Sequence, residues 1–130
     1  MKENKLSIII NKPIHEVFAF TLDPANTSKW ISEIEVEETS EWPVKIGTIY
    51  RNKSRIGIWN QYKLVELIEN HSFTLRSNTD ENFSVRYSFT ELSEGSTVFE
   101  YFEWTEYTNI SDPFKLDSLK VLKSILETQD

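Results

Sequence analysis

The chain of 130 residues contains no cysteine, one methionine, three glycines and four prolines. Without cysteine there are no disulfides, no thiolate metal sites and no cysteine nucleophile. Glycine and proline are too few and too scattered to mark a linker, a low-complexity tract or a phosphate-cradling loop. Basic residues are in deficit, with 14 Lys and Arg against 21 Asp and Glu and a formal net charge of −7. Nucleic acid and anionic membrane surfaces both select for a Lys/Arg excess, so neither is expected as the main partner. Long apolar runs are also missing. No stretch approaches the ~20 apolar residues of a membrane span, and residues 1–13 hold no apolar core of signal-peptide length. A soluble, cytoplasmic protein without stable membrane insertion is the expectation.

Histidine is nearly absent too. The two present are His15, expected in the first turn of a helix, and His71, expected in a turn between strands. Neither belongs to a His-x-His or His-Glu-x-x-His pattern, so the sequence points to no metal and no cofactor. Both are expected to face solvent.

What the chain does have is aromatic side chains, 13% of all residues and four of them tryptophan. They suit either an aromatic core or an aromatic-lined cavity. With 38% hydrophobic and 27% charged residues, the composition is that of a globular protein rather than a disordered one. One domain over residues 1–130 is the simplest division, large enough to bury about two-thirds of its unfolded surface.

Leu6 to Ile10 is short and β-branched, as a strand would be. Pro13 suits a first helical position, and Ile14, Val17, Phe18 and Leu22 follow at helical spacing. Asp23-Pro24 stops that helix, and a second short one is expected around residues 26–32. From Glu33 the period becomes two. Pairing Glu37 with Arg51, Glu35 with Lys53 and Glu33 with Arg55 would put the three glutamates on the solvent face of a hairpin. The inner face of the second strand then carries Thr48, Tyr50, Asn52 and Ser54, which suits a flaring strand end or a wet cavity. Strands are also expected over 59–68 and 73–78, the inward face of the first being left open. The clearest alternation is Phe83, Val85, Tyr87 and Phe89, with Arg86 directed outward. A four-residue turn at Leu92–Gly95 would set Phe89, Tyr87, Val85 and Phe83 opposite Val98, Glu100, Phe102 and Trp104. Asp112-Pro113 would then open a C-terminal helix of about 15 residues ending near Glu127.

The order strand, two helices, six strands, helix, together with four local motifs, resembles the START-like superfamily (SRPBCC, or Bet v 1-like), most closely its polyketide cyclase/dehydrase branch. The motifs are Ile-Asn-Lys-Pro-Ile-His-Glu-Val-Phe at 10–18, Leu-Asp-Pro-Ala-Asn-Thr-Ser-Lys-Trp at 22–30, Ile-Gly-Thr-Ile-Tyr at 46–50 and Glu-Gly-Ser-Thr-Val-Phe at 94–99. The resemblance implies an α+β helix-grip fold, with a curved antiparallel sheet of about seven strands around the C-terminal helix. It also implies that Trp30 is a lid residue at one end of the sheet. The short final helix departs from the family pattern and implies a smaller or more open cavity.

Function is expected to be the binding of a small hydrophobic or amphipathic molecule, such as a lipid, isoprenoid or polyketide, by a monomer or weak dimer. The cavity candidates are Phe18, Trp30, Tyr50, Asn52, Phe83, Val85, Tyr87, Val98, Glu100, Phe102, Trp104, Leu119 and Leu122. Each aromatic among them also has a plain packing role open to it. Two alternatives stand beside binding. One is a cyclase- or dehydratase-type enzyme using Glu100 and Tyr87 as acid/base groups; the other is a protein-interaction module built on the doubly apolar last strand. Glu100 has a structural hydrogen bond as its competing role.

Overall fold

A computed structural model describes residues 2–78, 83–106, 109–110 and 112–129. Strand β1 (Glu3–Ile10) is followed by helices α1 (Ile14–Leu22) and α2 (Pro24–Trp30). Strands β2 (Ile34–Thr39), β3 (Ile49–Ser54), β4 (Trp59–Ile68), β5 (Ser72–Ser77), β6 (Phe83–Ser93) and β7 (Ser96–Thr105) come next, and helix α3 (Leu116–Glu127) closes the chain. The strands form one antiparallel sheet in the order β1-β7-β6-β5-β4-β3-β2. This is the helix-grip arrangement.

Asp23 does two jobs at the α1–α2 junction. Its extended backbone ends α1, and its Oδ1 accepts from the Ala25 N–H at 2.9 Å to cap α2, with Pro24 in the first turn. A side-chain oxygen at this position satisfies one of the N–H groups a helix start leaves unpaired. The second helix therefore begins directly at the proline rather than near residue 26.

The core lies between the inner sheet face and the helices. Phe18 of α1 meets Phe73 and Phe89 edge-on at 6.0 and 5.3 Å. Leu119, Leu122 and Leu126 line one face of α3 and are fully buried. The helix is tied down by Lys123, whose Nζ donates to the Ile9 carbonyl and to Glu127, both at 2.6 Å. Glu127 in turn accepts from the Asn11 N–H at 2.7 Å.

Two strand registers differ from expectation by one residue, and each shift turns side chains to the opposite face. In the β6–β7 hairpin Ser93 pairs with Ser96 across a two-residue turn, and a bulge between Glu91 and Ser93 follows. Tyr87 then lies opposite Tyr101, Val85 opposite Glu103 and Phe89 opposite Phe99. The buried face of β7 is thus Thr97, Phe99, Tyr101, Glu103 and Thr105. Val98, Glu100, Phe102 and Trp104 stand on the outer face, half-buried. There Phe102 and Trp104 stack at 4.9 Å, with the Arg86 guanidinium 5.3 and 5.5 Å from their ring centres and Lys5 Nζ 4.9 Å from Phe102. The cationic side chains explain how an aromatic strand face is covered without a second sheet.

The second shift is in β2. A bulge between Ile34 and Val36 places Glu38 opposite Arg51 and Glu37 opposite Asn52. Glu35 still reaches Lys53 at 2.9 Å, and Glu38 takes the Arg51 partnership. Glu37 turns inward instead of sharing the solvent face. The C-terminal helix also starts later than expected, at Leu116, because Lys115 is extended and Phe114 is tied by its backbone to Asn4 and Glu103.

Candidate functional site

A cavity of about 570 Å³ opens inside the curve of the sheet. Its sheet wall comes from Glu37 of β2, Asn52 and Ser54 of β3, Asn60 and Tyr62 of β4, Leu75 of β5, Phe83, Val85 and Tyr87 of β6, and Tyr101 and Glu103 of β7. Thr27 of α2, the link residues Ile31 and Glu33, and Ile34 at the start of β2 close one side. Asp112, Pro113, Phe114 and Lys115, in the segment before α3, close the other. No residue of α3 lines it: Leu119 and Leu122 are fully buried in the core. The roof is the segment before the helix, not the helix.

That roof is held by a small polar knot. Glu103, only 3% exposed, accepts at Oε2 from the Phe114 N–H at 2.7 Å and from Asn4 Nδ2 at 2.9 Å. The same Asn4 amide donates to the Phe114 carbonyl at 2.8 Å. Both backbone groups of Phe114 are therefore satisfied from the β1–β7 edge. Its ring stacks on Tyr101 with centres 4.0 Å apart.

On β2 Glu37 accepts from Thr27 Oγ1 at 2.5 Å and from Asn52 Nδ2 at 3.2 Å. Burial pushes its carboxyl above the ordinary carboxylate range, and these two hydrogen bonds only partly oppose the shift. Tyr62, Tyr87 and Tyr101 are raised as well, first by burial and then by neighbouring charge, which for Tyr62 and Tyr87 includes both Glu37 and Glu103. All three phenols stay neutral at physiological pH.

Of the sequence candidates, Asn52, Phe83, Val85 and Tyr87 line the cavity. Phe18 and Tyr50 are core residues, Tyr50 donating its hydroxyl to the Leu22 carbonyl at 2.7 Å. Trp30 is 2% exposed and backs the cavity, its ring edge-on to Tyr87 and Phe114 at 6.0 Å each. It is a buried packing residue under the site. Val98, Glu100, Phe102 and Trp104 do not reach the cavity, because the hairpin bulge turns them outward. The expected pair of Glu100 and Tyr87 is accordingly not formed; the β7 carboxylate on the Tyr87 side of the sheet is Glu103, and Glu37 of β2 lies on that side too. His15 and His71 are exposed.

Glu37, Glu103, Tyr62 and Tyr101 had no place among the candidates. For Tyr101 and Glu103 the turn gave no signal, because a two-residue turn at Glu94-Gly95 without the bulge pairs Phe89 with Glu100 and leaves both outward. Glu37 carried none, since its bulge leaves no mark in the alternation.

A family model described as "Polyketide cyclase / dehydrase and lipid transport" matches residues 1–128. Among solved structures, XoxI from Bacillus cereus superposes with a TM-score of 0.77 at 12% identity, over 98% of this chain and 97% of its own. DynU16, a protein of the dynemicin biosynthetic locus, gives 0.77 at 17% identity over 98% of this chain and 48% of its own. A START superfamily protein from Mycobacterium smegmatis gives 0.69 at 14% identity, with 98% and 90% covered. At these identities the likeness is one of fold. No curated protein matches the sequence.

Proposed function

The chain belongs to the polyketide cyclase/dehydrase and lipid transport family, and from that premise we propose that it binds a small amphipathic molecule inside the curve of its sheet. The observation that carries this reading is the cavity of about 570 Å³, within the ~300–1,000 Å³ usual for small-molecule sites. Leu75, Val85, Phe83 and Phe114 supply apolar walls, and hydroxyl, amide and carboxyl groups converge on the same space. On this reading residues 1–130 work as a single ligand-binding domain, monomeric or weakly dimeric.

Native mass spectrometry of freshly purified protein tests the proposal and reads the oligomeric state in the same spectrum. A co-purified small molecule, or mass addition on incubation with 1-octanol, is expected. A bare polypeptide mass under both conditions would overturn it.

A cyclase- or dehydratase-type activity is the second reading. The placement of a carboxylate, Glu103, and a phenol, Tyr101, on one cavity wall favours it. Glu103→Gln separates the two readings: lost turnover with retained ligand marks catalysis, and altered affinity with no turnover in either form marks binding alone.

A further inference from the structure

The cavity has an unbalanced charge. Glu33, Glu37, Glu103 and Asp112 line it, against Lys115 as the one lining cation among the described residues. The ion pairs among the described residues all lie elsewhere, at Lys45–Glu41, Arg51–Glu38, Lys53–Glu35 and Lys123–Glu127. Among those residues no cation pairs with any of the four cavity carboxylates. A buried carboxylate is costly unless a cation or several hydrogen bonds answer it. For Glu103, the hydrogen bonds from Asn4 and Phe114 both fall on one oxygen.

The tyrosines add an independent observation. Tyr87 and Tyr101 are 7% and 6% exposed, and both line the cavity. Among the described residues neither hydroxyl has a hydrogen-bond partner, yet neither is sealed inside the protein, so what each meets is the cavity. Hydroxyls that open on a cavity without protein partners are free to hydrogen-bond a ligand there. Neutral phenol rings also present electron-rich faces, which attract cations.

We propose that the ligand is an amphipath carrying an ammonium group. Its apolar part packs on Leu75, Val85 and Phe114, and its cation lies near Glu37 and Glu103, against the tyrosine rings. An anionic amphipath would bring a charge of the wrong sign to this cavity, and a neutral one would leave Glu37 and Glu103, each held by hydrogen bonds alone, without a counter-charge. The inference rests on the binding reading above and adds to it the charge class of the ligand.

Isothermal titration with octylammonium, octyltrimethylammonium, 1-octanol and octanoate, all below their aggregation concentrations, tests it. At least one ammonium probe is expected to bind about tenfold or more tighter than 1-octanol, and octanoate more weakly than 1-octanol. The primary probe winning assigns the cation to hydrogen bonding with the carboxylates; the quaternary probe winning assigns it to the ring faces. Glu37→Gln and Glu103→Gln should each narrow the ammonium advantage while 1-octanol still binds. Glu37→Gln carries this arm alone if the Glu103 variant loosens the fold. Binding of 1-octanol with no ammonium preference, or a preference unchanged in Glu37→Gln, overturns the inference and leaves the binding reading intact. Failure of all four probes to bind overturns both.

Discussion

Glu37 of β2 and Glu103 of β7 line one cavity and are held by different means. Glu103 accepts two hydrogen bonds that fasten Phe114, whereas Glu37 is shifted upward by burial despite Thr27 and Asn52. A carboxyl whose folded pKa is raised binds its proton more tightly in the fold than in the unfolded chain. Its stabilising contribution is present below the unfolded value and is lost as pH rises through the folded one. Replacing Glu37 by Gln removes that dependence. Stability of the Gln variant relative to the parent should therefore climb as pH rises above 4.5, the ordinary value. Urea unfolding at a series of pH values measures this, and a pH-independent difference would refute the assignment. Trp30 offers a second check at this scale. Its ring packs against Tyr87, Phe99 and Phe114. Trp30→Ala should cost ~3–5 kcal/mol by denaturant unfolding, as aromatic truncations in cores do. A loss well under ~1 kcal/mol would place the ring in solvent.

Among the elements, β7 decides which carboxylate serves the site. With Tyr87 opposite Tyr101, Glu103 faces inward and Glu100 outward. Glu103→Gln removes the carboxylate that fastens Phe114 and should cost ~1–3 kcal/mol. Glu100→Gln should change stability by no more than ~0.5 kcal/mol, as outer-face substitutions usually do. The reverse ranking in urea unfolding would restore the other register. The segment before α3 is testable in the same way: Asn4→Ala should speed hydrogen exchange of the Phe114 amide, with β6 unaffected. Unchanged exchange would mean the knot does not hold the roof.

These elements also mark how far the residues alone carry the structure. Strong periodicity made α1, the inward face of Phe83, Val85, Tyr87 and Phe89, and the polar inner face at Thr48, Tyr50 and Asn52 legible. Asp23-Pro24 and the order of strands and helices along the chain were equally plain. Register was not, because a single bulged residue near Glu35 or Leu92 reverses a whole face without altering composition or period. Four of the thirteen cavity candidates, Val98, Glu100, Phe102 and Trp104, were lost through that one degree of freedom. The late start of α3 was hidden for another reason: Pro113 permits a helix start, and only the long-range contacts of Phe114 with Asn4, Tyr101 and Glu103 hold the chain extended there.

At the scale of the whole molecule, the sheet and the helices divide the interior into two halves of different character. One is a dry core of Phe18, Phe73, Phe89, Phe99, Leu119 and Leu122. The other is a cavity in which tyrosines, amides and carboxyls meet Leu75, Val85 and Phe114. No helix among the described residues is long and apolar enough to cross a membrane. The division gives any bound molecule one definite location, and a two-dimensional ¹H–¹⁵N spectrum titrated with 1-octanol reads that location directly. Shifts are predicted at the amides of Thr27, Asn52, Leu75, Val85, Tyr101 and Phe114, with those of Phe18, Leu119 and Leu122 little changed. Shifts confined to the outer face around Phe102 and Trp104, or none at saturation, would contradict a ligand-binding cavity inside the sheet.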